Sequence, residues 1–136
     1  MRNNRIVLDT NCLVAALAKH SEFHSVWKGL QEGQYRLCVT NEILEEYQEI
    51  IALKTSAIVA ENVINLLLKS EYVMFVDTYF RLELIAADPD DNKFVDCAFA
   101  ADAAYIVSDD KHFEILKSIN FPKISVLKLR EFIKYL

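Results

Sequence analysis

At 136 residues, with 53% hydrophobic residues and no low-complexity run, the chain has the size and composition of one globular domain spanning residues 1–136. Its formal net charge of -5, from 20 acids and 15 bases, argues against nucleic-acid binding carried by electrostatics alone. No apolar stretch is long enough to cross a membrane, and "MRNNR" lacks the apolar core of a signal peptide, so a cytoplasmic protein is expected.

In chain order, "RIVL" reads as a buried strand and "TNCLVAALAK" as a helix. "SEFHSVWKGLQEG" reads as a second helix, with Ser21 as its cap, Phe23, Val26, Trp27 and Leu30 on one face, and Gly33 at its stop. "YRLCV" is strand-like. "TNEILEEYQEIIALK" and "SAIVAENVINLLLKS" form a helical hairpin broken near Thr55 and Ser56, because each half restarts the 3.6-residue period behind a capping residue. "YVMFV" is a third strand, "DPDDNKFVDCAFAAD" is helical after Pro89, and "AYIV" is a fourth strand. "DDKHFEILKSI" reads as a helix, "ISVL" as a last strand, and "KLREFIKYL" as a short terminal helix. Two glycines and two prolines leave little room for long loops.

Short aliphatic strands alternating with helices predict a three-layer α/β/α domain with a mostly parallel central sheet. Ligands of such sheets bind beyond the carboxyl ends of the strands. Asp9 follows the first strand, and Asp109 and Asp110 follow "AYIVS", so both segments deliver carboxylates to one edge. The competing reading is that Asp9 and Asp110 only cap the helices behind them.

Asp88, Pro89, Asp90 and Asp91 open a helix with ordinary helix-start chemistry, and Asp88 is the natural cap, with a supporting place beside the acids as its alternative role. At about 100° per residue, Asp91 shares a face with Phe94 and Ala98 and points inward, whereas Asp96 is expected in solvent. Of the glutamates in "TNEILEEYQEII", Glu46 lies nearest the apolar face formed by Ile43, Leu44, Tyr47, Ile50 and Ile51, with Glu42 in reserve. Four carboxylates from four segments would repel one another unless a cation joined them, and oxygen ligands favour Mg²⁺ or Mn²⁺.

The motifs in this order resemble those of PIN domain ribonucleases, especially the toxin components of bacterial toxin–antitoxin systems. "IVLDTNCLVAAL" is similar to the family's opening strand with its first acid at Asp9. "LEEYQEII" supplies the helix glutamate as Glu46, and "DPDDNKFVDCAFAADAAYIVSDD" is similar to the region of the third and fourth acids, Asp91 and Asp110. The resemblance implies that these four acids are both catalytic and metal-binding, holding one or two Mg²⁺ or Mn²⁺ ions that drive hydrolysis of single-stranded or loop RNA. It also implies that Asn11 orders the first acid's loop, that Ser108 takes the place of a common threonine, and that Thr10 neighbours the site. A small cognate antitoxin is the implied partner. The chain departs from the family at Asp109 and Asp102, where glycine is common; Asp109 becomes a possible helper ligand, or must adopt a backbone shape suited to glycine.

Other signals weigh less. Cys12, Cys38 and Cys97 form no CxxC pair and read as reduced, buried fillers. His20 and His24 have metal-compatible spacing but no third partner, and His112 reads as an exposed first-turn residue near the site edge. Arg2, Arg5, Arg36, Lys93, Lys111 and Lys128 are candidate phosphate contacts. The "SAIVAENVINLLLK" helix carries more aliphatic residues than one stripe needs, which predicts either an antitoxin or homodimer contact or packing within the monomer. Two alternative functions remain: a degenerate PIN module that only binds a partner or RNA, and an aspartyl phosphotransferase or phosphatase. Against the latter, no second acid stands two residues beyond Asp9.

Overall fold

The central strand of the sheet is the first one in the chain. In the computed structural model, which describes residues 3–136, β1 (Arg5–Leu8), β2 (Arg36–Val39), β3 (Val73–Phe75), β4 (Tyr105–Val107) and β5 (Val126–Leu127) lie in the order β3-β2-β1-β4-β5. Every pairing is parallel, from Ile6 opposite Leu37 on one side of β1 to Leu8 opposite Val107 on the other. Ile6, Val7 and Leu8 are fully buried, the pattern of a strand covered on both faces. Helices α1 (Thr10–Leu17), α2 (His24–Gln31), α3 (Asn41–Lys54), α4 (Ala57–Lys69), α5 (Asn92–Ala101) and α6 (Leu129–Phe132) complete a three-layer α/β/α arrangement. No described helix is long and apolar enough to cross a membrane.

Local chemistry sets the helix ends. Thr40 accepts the Ile43 N–H and Ser56 accepts the Val59 N–H, so α3 and α4 each begin on a hydroxyl cap and the hairpin breaks at the expected place. Gly33 takes φ +76° just beyond α2, and a side chain there would run into the Tyr72 ring. Asp102 ends α5 in the left-handed conformation at φ 50°, ψ 49°. Beside it, the Arg5 guanidinium donates to the carbonyls of Ala101 (2.8 Å) and Asp102 (3.1 Å), tying the end of α5 to the start of β1. The three cysteines are buried and free.

Several expectations are corrected. Ser21 does not cap α2; its Oγ accepts the Phe23 N–H in a turn, and the helix begins at His24. The segment Lys111–Ser118 is a 3₁₀ helix rather than an α-helix. Residues 76–88 form a long strap without helix or strand, despite the scarcity of glycine and proline. Side chains of α5 replace the missing ladder: Asn92 Oδ1 accepts the Ile85 N–H and its Nδ2 donates to the Ile85 carbonyl, both at 2.9 Å. Asp96 Oδ1 accepts the Leu82 N–H at 3.0 Å, so Asp96 is buried under the strap instead of facing solvent. Arg5 and Arg36 start neighbouring strands in register, at the edge opposite Asp9, which removes them as phosphate contacts near the acids. Arg2 lies outside the described residues. On α4, Ala60, Val63 and Leu67 are buried, while Ile58, Leu66 and Leu68 are exposed, so packing within the chain does not cover its apolar surplus.

Candidate active site

Asp9 separates the two readings offered for it. Its backbone extends the β1–β4 ladder, with N–H donating to the Val107 carbonyl at 3.0 Å, and its carbonyl accepts the N–H groups of Cys12 and Leu13 at the start of α1. The side chain makes no cap bond. Instead Oδ2 accepts the Ser108 hydroxyl at 2.7 Å, while Ser108 Oγ accepts the Asp110 N–H at 3.0 Å. One buried hydroxyl, held at the end of β4, therefore joins the first and fourth acids. Burial pushes the Asp9 carboxyl up; the Ser108 hydroxyl and the Thr10 amide pull it back, and the charges of Asp110 and Glu46 push it up further.

Glu46 reaches the same edge from α3. Tyr47 beside it is fully buried and donates its hydroxyl to the Leu8 carbonyl at 2.6 Å, which locks α3 across the end of β1. The Thr10 hydroxyl donates to Glu46 Oε2, and the Lys93 ammonium lies 2.7 Å from Oε1. Asp91, the last residue of a 3₁₀ turn (Pro89–Asp91) that leads into α5, is buried, and its carboxyl is pushed up to about 6. Burial is the main cause, the charges of Asp88 and Asp110 add to it, His112 opposes it, and Asp9 adds a smaller upward push. Asp110 does cap its helix, accepting the His112 N–H at 2.9 Å, and its other oxygen is left to the site. Asp88 likewise caps, through the Asp90 N–H at 3.1 Å.

The other named residues divide. Thr10 and Ser108 orient acids directly. Asn11 is exposed and its Oδ1 accepts from Lys54 Nζ at 2.9 Å, so its side chain does not hold the Asp9 loop. Asp109 accepts the Leu129 N–H at 2.9 Å, which seats α6 against the end of β4 and commits one of its oxygens. Its φ is not positive, so glycine's freedom is not required there. Asp109 still lines a cavity of about 340 Å³ with Asp9, Asn11, Cys12 and Asp110. Glu42 is exposed and makes no contact with the other acids among the described hydrogen bonds and ion pairs.

Sequence reasoning set His112 aside, and the structure brings it in. Its Nδ1 lies 3.3 Å from Asp91 Oδ2, 3.4 Å from Asp110 Oδ1 and 3.9 Å from Asp88 Oδ2. Asp88, Asp91 and His112 offer ligand atoms all within 4.8 Å of one another. The spacing Asp110-x-His112 was the available signal, because a 3₁₀ cap turns position i+2 back over its own capping residue. His24 instead donates its Nδ1–H to the Ala16 carbonyl, 2.8 Å away, and has no part in the cluster.

The donor set fits a hard divalent cation: carboxylate oxygens predominate, the one thiol nearby, Cys12, is buried and pushed up by that burial so that it stays protonated, and burial leaves the carboxylate charge poorly solvated. Lys93 already places one positive charge on Glu46.

A parallel α/β domain with acids gathered beyond its central strands is thus the class that fold and site define. A PIN domain family model matches residues 5–112, from β1 through His112, and the chain belongs to the PIN domain family. Among solved structures it is similar to VapBC2 from Rickettsia felis bound to a DNA fragment from its promoter, with TM-score 0.63 and 16% identity over 91% of this chain and 98% of that one. It is also similar to DNA-bound VapBC from Salmonella typhimurium (TM-score 0.61, 17% identity, 92% and 98% covered). FitAcB from Neisseria gonorrhoeae gives TM-score 0.55 and 15% identity, with the same coverage as the Salmonella structure. At these identities the likeness is one of fold. No curated protein matches the chain.

Proposed function

We propose that residues 1–136 act as one PIN-like unit, a Mg²⁺- or Mn²⁺-dependent endoribonuclease that hydrolyses phosphodiester bonds in single-stranded or loop RNA. The observation that carries this reading is the convergence of Asp9, Glu46, Asp91 and Asp110, in which Asp9 and Asp91 are both raised by burial and by the neighbouring acids. Such a cluster is costly to keep without a multivalent counter-ion.

When bound there, a divalent ion supplies an activated water and offsets charge on the phosphodiester. The chain's own residues fix the acids. Ser108 holds Asp9, Thr10 holds Glu46, and Tyr47 sets the height of α3 above β1. His112 directs Nδ1 at the acids, leaving Nε2 for solvent or a phosphate oxygen. Of the candidate phosphate contacts, Lys93 pairs with Glu46, Lys111 follows Asp110, and Lys128 stands between Leu127, whose carbonyl accepts the Ser108 N–H, and Leu129, whose N–H donates to Asp109.

The toxin role and a small cognate antitoxin follow from the resemblance to PIN-family toxins, and the VapBC and FitAcB structures among the neighbours support it. The exposed Ile58, Leu66 and Leu68 leave apolar surface on more than one side of α4 for the antitoxin or a second copy of the chain to cover. Purified protein should cleave RNA with Mg²⁺ or Mn²⁺, and both a chelator and Asp9→Asn should abolish cleavage. Cleavage indifferent to both would remove the mechanism.

A further inference from the structure

Beside the acid cluster lies a second, polar cavity of about 180 Å³, lined among others by Thr40, Thr78, Arg81, Asn92 and Lys93. Lys93 connects the two, since its ammonium is 2.7 Å from Glu46 while its side chain forms part of the cavity wall. The far wall belongs to the strap of residues 76–88. There Thr78 and Arg81 line the cavity, and between them Tyr79 and Phe80 are 83% and 67% exposed. Arg81 has no hydrogen-bond or ion-pair partner among the described residues. The strap is held from below by Asp96 and Asn92, so these aromatic rings stand on an anchored backbone.

We infer that the strap and the amino-terminal end of α5 form a track for an unpaired RNA strand, with Arg81 and Lys93 taking backbone phosphates and Tyr79 and Phe80 stacking on bases. The track rests on the endoribonuclease reading for its direction, running away from the acids at Lys93. Three acids, Glu42, Asp90 and Asp96, also line the cavity, and one of them, Asp96, is hydrogen-bonded to the strap. With a net charge of -5, long-range attraction for phosphate is weak. Stacking supplies affinity that does not depend on net charge, and two exposed rings beside two cations are the parts that single-strand binding uses. A duplex hides its base faces, so the track selects single-stranded substrate.

The test uses the full chain carrying Asp9→Asn, which binds without cutting, and a labelled single-stranded RNA of about eight nucleotides. Tyr79→Ala and Phe80→Ala should each weaken binding about tenfold or more, with little effect on a matched duplex. Arg81→Ala should lower the slope of log affinity against log salt by about 0.7. Tyr79→Trp should show indole quenching with the RNA and not with an abasic strand of equal charge. All four substitutions are at exposed positions, and unchanged circular dichroism is the control for folding. Wild-type affinity in both alanine variants overturns the track, as does equal loss on duplex and single strand, or a loss confined to protein-partner binding. If the wild-type chain cuts no RNA but the ring substitutions still abolish strand binding, the track stands and the nuclease reading falls; the reverse pattern separates them the other way.

Discussion

Ser108 and Asp9 are 99 residues apart in the chain and share a 2.7 Å hydrogen bond at the centre of the acid cluster. Ser108 is only 2% exposed, so removing its hydroxyl takes away the hydrogen-bond donor of a largely buried carboxylate oxygen. Ser108→Ala should cost about 1–3 kcal/mol of the stability of the ionised site. Ser108→Thr keeps the donor and should restore Mn²⁺ affinity and RNA cleavage. Equal Mn²⁺ affinity in the alanine and wild-type chains would show that this bond does not position Asp9.

Asp91 gives the site its pH dependence. Protons compete with the cation for this carboxylate, so Mn²⁺ affinity should fall about tenfold per pH unit below its value of about 6. The metal-free fold should respond in the opposite sense. The unfolded value is 3.8 and the folded one about 6, so the folded state holds more protons between them. Stability from this group is complete below about 3.8 and is lost as pH rises through about 6. Asp91→Asn should therefore raise the metal-free melting temperature at pH 7 by roughly 5 °C while removing cation binding. A lower melting temperature in that variant would contradict the picture of stored repulsion.

Lys93 and a divalent cation cannot both hold Glu46 Oε1. Replacing the ammonium in Lys93→Gln should tighten Mn²⁺ binding by about twofold to fivefold, the effect of one partly exposed ion pair. The same change should weaken binding of single-stranded RNA. Titration calorimetry with Mn²⁺ alone separates the two effects, and an unaltered or weaker Mn²⁺ affinity would rule out competition.

Asp102 occupies a backbone region that glycine enters more easily. Its carboxylate is almost fully exposed and 3.5 Å from Arg5, whereas the stronger Arg5 bonds go to backbone carbonyls that any residue retains. Asp102→Gly should stabilise the chain by up to about 1 kcal/mol, and Asp102→Val should destabilise it by more than that. Urea denaturation of the two variants measures both.

What the sequence revealed, and what it concealed, follows the range of the forces involved. Strands, hairpin break and caps were legible because Thr40, Ser56, Asp88 and Asp110 act on amides two or three residues away. The inward turn of Asp91 was legible from its own helix. Asp96 was misread because a helical wheel treats the side opposite the core as solvent, and here a strap from residues 76–88 covers it. His112 was missed because its nearness to Asp91 depends on two segments 21 residues apart meeting beyond β4. The family resemblance implied that Asn11 orders the loop of Asp9, yet Lys54 at the end of α3 holds its side-chain oxygen.

The place of β1 at the middle of the sheet has a consequence for synthesis. Its partner β4 begins at Tyr105, and the Asp9 N–H reaches the Val107 carbonyl only after that strand exists. A chain still emerging from the ribosome can pair β1 with β2 early, but it has no Ser108, Asp110 or His112 with which to complete the cluster. Because chains fold from the amino terminus as they emerge, the acids at Asp9 and Glu46 wait, unassembled, for the residues beyond Tyr105. On the ribonuclease reading proposed above, the site is thereby incomplete until β4 and the residues behind it have been made.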